Sequence, residues 1–64
     1  MGNRQQFHAR ILHLEENQWW AIVNQRRVAL KPHPLVRVNA GDIVRLEGVD
    51  TDTSPWNIES LVIL

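Results

Sequence analysis

The chain contains no cysteine. Without thiols it can form no disulfide, and no thiolate metal site can be built from it. That absence is compatible with a reducing compartment. Long apolar runs are missing too. The longest span only a few residues, far short of the ~20 that a membrane-crossing helix needs. The opening MGNRQQFHARIL lacks the apolar centre of a secretory signal. It begins Met1-Gly2, but Gln6 stands where a myristoylation motif needs Ser or Thr. The expectation is a soluble, cytoplasmic protein with no membrane partner. Internal repeats and low-complexity segments are also absent.

Net charge is missing as well, because seven basic and seven acidic residues cancel. A uniformly basic nucleic-acid binder would show an excess of Lys and Arg. The cancellation hides a division. Residues 1–41 hold six cations against Glu15 and Glu16, a balance of +4. Residues 42–64 hold Arg45 against five carboxylates, a balance of −4. Such asymmetry can give a small domain one basic face.

Catalytic signals are sparse. Ser54 and Ser60 are the only serines, and neither sits in a nucleophile elbow. The histidines, His8, His13 and His33, show no metal-ligand spacing. His8 and His13 flank a break in periodicity, which argues against a shared face. Asp50 and Asp52 are too few ligands for a calcium loop. The expectation is a non-enzymatic protein with no metal and no cofactor.

What is present is a period of two, the signature of strands. Phe7, Ala9 and Ile11 alternate with His8 and Arg10, and the phase then slips to Leu12 and Leu14. Two half-strands in opposite phase predict one long strand with a bulge at Ile11–Leu12. FHARILHLEE also fits helical spacing, but the rest of the chain is β-branched, aromatic and closely punctuated by turns, and the strand is preferred. WWAIV (19–23) and RRVAL (26–30) predict a hairpin around Asn24-Gln25. Gln25 is a poor turn residue because it disfavours positive φ. Pro32 and Pro34 mark a connection or an edge, with room for one helical turn at 35–38. AGD at 40–42 turns into a fourth strand, IVRLEGV, and residues 50–55 are a polar loop. WNIESLVIL (56–64) predicts a fifth strand whose apolar end is paired inside the sheet. Five short strands in one domain predict an all-β, five-stranded small β-barrel, OB-fold-like or SH3-like, closed or partly closed. A single core of this size supports roughly 3–5 kcal/mol of stability.

The order of ARILHLEEN, WWAIVNQRRVAL, a proline-bearing connection and VNAGDIVRLEGV resembles the S1-like branch of the OB-fold proteins, a branch whose small members include bacterial translation initiation factor one. The resemblance covers most of the chain. It implies a bulged first strand, a hairpin, and a Gly41-Asp42 turn opening strand four. It also implies nucleic-acid binding on strands two and three.

Adjacent Trp19 and Trp20 must point to opposite faces of a strand. Trp19 shares a side with Ala21 and Val23, and Trp20 shares the other with Ile22, so alternation leaves open which one faces inward. One fills the core, and the other covers an edge or forms a platform. Trp56 is expected in the core or at its rim. A tryptophan beside arginines suits single-stranded nucleic acid: the ring stacks on a base and the guanidinium meets phosphate. The same pair suits an acidic protein partner or a homo-oligomeric contact. The candidate binding residues are Trp19, Arg26 and Arg27, extended by Arg10, Lys31 and Arg37. The acidic Asp50–Asp52 loop would repel a strand on its side.

Overall fold

The computed structural model describes residues 5–64; the Met1-Gly2 start lies outside them. Strands β1 (Gln5–Leu14), β2 (Trp19–Val23), β3 (Arg26–Leu30), β4 (Ile43–Val49) and β5 (Ser60–Ile63) form one antiparallel sheet in the order β3-β2-β1-β4-β5. No helix occurs among the described residues. Instead of a helical turn at 35–38, a turn at Pro34-Leu35 brings the Val36 N–H to the His33 carbonyl at 3.4 Å.

The predicted break in β1 is a bulge. Ile11 pairs with Ala21 and His13 with Trp20, which leaves Leu12 as the extra residue, 41% exposed. The bulge absorbs the phase slip, so Leu14 returns to the inner side as the partner of Trp19. It also overturns one expectation: His8, opposite Arg45, and His13, opposite Trp20, both lie on the outer face. Asp42 and Gly41 pin the bend, because Ile11 donates to the Asp42 carbonyl (2.9 Å) and Gly41 donates to that of Ile11 (2.7 Å). Gly41 has φ +95°, a conformation open to glycine at no steric cost. Asp42 Oδ2 accepts the Asn39 N–H at 2.8 Å and closes the same turn.

The β2–β3 hairpin turns on Asn24 (φ 51°) and Gln25 (φ 66°). Positive φ at both central residues is the turn whose twist matches the strands it joins, so Gln25 adopts the conformation it disfavours. In β4, Gly48 has φ +63°, and a Cβ there would lie 2.5 Å from that of Glu59. The β1–β4 register steps at this point, as expected of a bulge built on a left-handed glycine.

The inner face gathers Ala9, Ile11, Trp19, Ala21, Val23, Leu30, Val44, Leu46, Val49 and Leu61, closed by Val38 from the connection. The molecule that encloses this core is compact, with principal-axis extents of 33 × 21 × 21 Å. The strands do not close on themselves. β3 and β5 are the edges, and a parallel bridge between Leu30 and Trp56 ties β3 to the segment that leads into β5. There Trp56 donates to the Ala29 carbonyl and Lys31 to that of Trp56, each at 2.9 Å. His33 adds a side-chain tie. Its Nδ1 accepts the Leu35 N–H (3.2 Å), so Nε2 carries the proton toward the Glu59 carbonyl (3.2 Å).

The fifth strand is shorter than predicted. It begins at Ser60, because Trp56 is drawn to β3 and Asn57 bridges back to Asp50. Its apolar end is paired on one side only. Leu64 donates to the Ile43 carbonyl at 2.9 Å, yet its side chain is 61% exposed. The LVIL ending therefore lies on an edge and not inside the sheet.

Candidate nucleic-acid interface

Trp19 was the expected platform, and its position corrects that reading. It lies opposite Leu14 and Leu30 and is 9% exposed. Trp20 takes the outer face, opposite His13 on β1 and Ala29 on β3. A signal for this lay in the chain. Trp19, Ala21 and Val23 form a three-membered apolar row that outweighs Trp20 and Ile22, and all three are buried.

Two contacts hold the Trp20 ring. The Arg27 guanidinium lies 4.8 Å from the ring centroid, within cation–π range. The indole Nε1–H donates to Glu15 Oε2 at 3.0 Å. Leu12, the bulged residue, and His13 complete an open cleft of about 380 Å³ around them. One row of outward residues runs across four strands: Arg27, Ile22, Arg10 and Ile43 are successive partners. Arg10 therefore lies one strand removed from Ile22 and two from Arg27. Glu15 follows the end of β1, beyond His13, whereas Arg10 precedes His13 on that strand.

The two arginines of the hairpin separate. Arg27 is outward, whereas Arg26 pairs with buried Val23 and so takes an inward alternation beside the hairpin turn. A charge there cannot enter the core without a large desolvation cost, and Arg26 is exposed. It lines a second open cleft, of about 580 Å³, between the hairpin and the Trp56 loop. Phe7, Val28 and Trp56 give that cleft its apolar floor, with the two aromatic rings 5.3 Å apart and tilted by 33°. Asn24 and Arg27 complete the rim, so Arg27 borders both clefts.

Lys31 and Arg37 are exposed and border neither cleft. Arg45, on the same outer face, is bound to Glu47 at 2.9 Å. The Asp50–Asp52 loop is knitted to itself: Asp50 Oδ1 accepts the Asp52 N–H (2.9 Å) and Thr53 Oγ1 donates to the Pro55 carbonyl (3.0 Å). Among the described residues no group of three or more His, Asp or Glu is arranged to hold a metal ion. No helix among them is long and apolar enough to cross a membrane.

Comparison with protein-family models, curated proteins and solved structures gives no match to this chain.

Proposed function

We propose that the protein is a non-enzymatic module that binds single-stranded nucleic acid, RNA or DNA, on the outer wall of β2 and β3. The observation that carries this reading is the Trp20–Arg27 pair, 4.8 Å apart on that wall, with Arg10 in the same outward row as Arg27. A base takes the place of the guanidinium over the indole, and the released guanidinium moves to the phosphate. Glu15 holds the ring plane through Nε1 and repels phosphate from its own end, so the backbone runs on the Arg10 side. Lys31 and Arg37 add long-range attraction without touching the stacked base.

The architecture supports the same reading. The order β3-β2-β1-β4-β5 with a parallel Leu30–Trp56 bridge is the connectivity expected of a partly open five-stranded barrel of OB type. In such barrels the wall formed by strands two and three carries oligonucleotides.

The test is titration of a fluorescent oligonucleotide at low and high salt. Binding that weakens as salt rises and is lost in Trp20→Ala supports the proposal. No binding at low salt overturns it.

A second reading has its own observation. Val62, Ile63 and Leu64 are exposed along the β5 edge, and such edges invite pairing with another chain. An assembly module, homo-oligomeric or within a larger complex, would use this edge. A sedimentation mass above one protomer, with no oligonucleotide binding, favours it.

A further inference from the structure

The Phe7–Trp56 cleft lies outside the wall used above. It has the size of a ligand site: its volume of about 580 Å³ falls within the roughly 300–1,000 Å³ typical of small-molecule pockets. Its lining is chemically one-sided. Arg26 and Arg27 border an aromatic and aliphatic floor, and no carboxylate lines it among the described residues. The Trp20 cleft, in contrast, contains Glu15. An unbalanced pair of cations beside apolar rings is complementary to a ligand with a flat ring and an anionic group.

Arg27 borders both clefts. A strand laid on the Trp20 wall that crosses the β3 edge therefore meets Arg27 first and then Arg26, with the Phe7–Trp56 pair beneath. We propose that this cleft is a nucleotide subsite, in which one base lies against the Phe7–Trp56 pair while its phosphate is held by Arg26 and Arg27. The proposal rests on the nucleic-acid reading and extends it around the edge of the sheet. A free nucleotide and a nucleotide within a strand offer the same chemistry.

The three tryptophans make the test position-specific, since Trp19 reports the core, Trp20 the wall and Trp56 the cleft. The ¹⁵N-labelled full chain is titrated at low salt with uridine 5′-monophosphate and, separately, with a uridine hexanucleotide, following the three indole N–H signals. The mononucleotide is expected to shift Trp56 and leave Trp20 in place, and the hexanucleotide to shift both. Arg26→Glu is expected to weaken the mononucleotide response by about tenfold or more, a loss of one strong charge-assisted contact. The same variant keeps the amide dispersion of the parent chain, which shows that it still folds. Arg26→Gln, which removes the charge without reversing it, gives a smaller loss in the same direction.

A hexanucleotide that moves Trp20 alone overturns the subsite and leaves the wall reading standing. If neither probe moves any indole, both are overturned. An Arg26→Glu chain that answers the mononucleotide as the parent does overturns the assignment of phosphate to Arg26. A shift of Trp56 by an acidic tryptophan-containing peptide, with none by nucleotide, overturns the proposal in favour of a protein partner.

Discussion

Trp19 and Trp20 are neighbours in the chain and belong to different parts of the molecule. Trp19 lies between Leu14 and Leu30 on the inner side of the sheet and is 9% exposed. Trp20 lies on the outer side, beneath a guanidinium and bonded to a carboxylate. Identical side chains one residue apart thus meet opposite physics. Trp19 contributes area removed from water, which counts toward folding. Trp20 contributes a polarisable ring that already has polar partners, and in the proposed function a ligand replaces one of them. A small protein has few residues that can serve only one purpose, and under the proposed function this pair divides folding from binding.

The comparison breaks first at Trp19. Truncation to Ala in a core of this size should cost about 3–5 kcal/mol. That equals the whole stability expected of such a small domain, so Trp19→Ala should be largely unfolded, as read by chemical denaturation and by loss of amide dispersion. A Trp19→Ala chain with near-native stability would show that the inner side is not where the fold's energy resides. Trp20→Ala should act on binding instead. Loss of one stacked base weakens single-strand binding by about 1–3 kcal/mol, while the denaturation midpoint moves far less than in Trp19→Ala. Equal destabilisation by the two changes would erase the division between core and wall.

Much of this division can be read in the chain, and the unread part has definite causes. Alternation in WWAIV places one tryptophan on each side, and the Ala21–Val23 row tips Trp19 inward once it is weighed. The slip at Ile11–Leu12 announces the bulge, but not its consequence. Only the pairing of His13 with Trp20 shows that one extra residue restores His8 and His13 to a common face. Gly41-Asp42 announces a turn, while its bonds to Ile11 depend on strands that meet only in the folded chain. The Trp56 segment is the least legible. WNIESLVIL alternates like one strand, yet its first residues are claimed by Ala29, Leu30, Lys31 and Asp50. Contacts between residues so far apart in the chain leave no trace in local periodicity. The same holds for Phe7 against Trp56, and so for the whole second cleft.

Arg27 sharpens the comparison, because it joins the wall to solvent charge. Single-strand binding weakens with salt at a slope of about −0.7 per phosphate neutralised. Arg27→Ala should therefore reduce the slope of log K against log salt by roughly 0.7 and weaken binding at low salt more than at high salt. An unchanged slope would mean that this guanidinium stays on the indole and never meets phosphate.

The finest distinction concerns Glu15, which bonds the ring and, under the proposed function, opposes the ligand at once. Its carboxylate fixes the indole edge through a 3.0 Å bond, and the same negative charge faces any phosphate that approaches the Trp20 cleft. Glu15→Gln keeps an acceptor for Nε1 and removes the charge, so the two effects come apart. Because the group is exposed, the repulsion it exerts is screened and small, about 0.2–1 kcal/mol by analogy with exposed ion pairs. Low-salt oligonucleotide affinity should rise by that amount in Glu15→Gln, and the gain should vanish as salt shortens the Debye length below about 8 Å. Glu15→Ala removes the acceptor too and frees the ring, so it should gain less than Glu15→Gln despite the same change in charge. If the two substitutions tighten binding equally, the indole needs no anchor and the Glu15 bond plays no part in holding the platform.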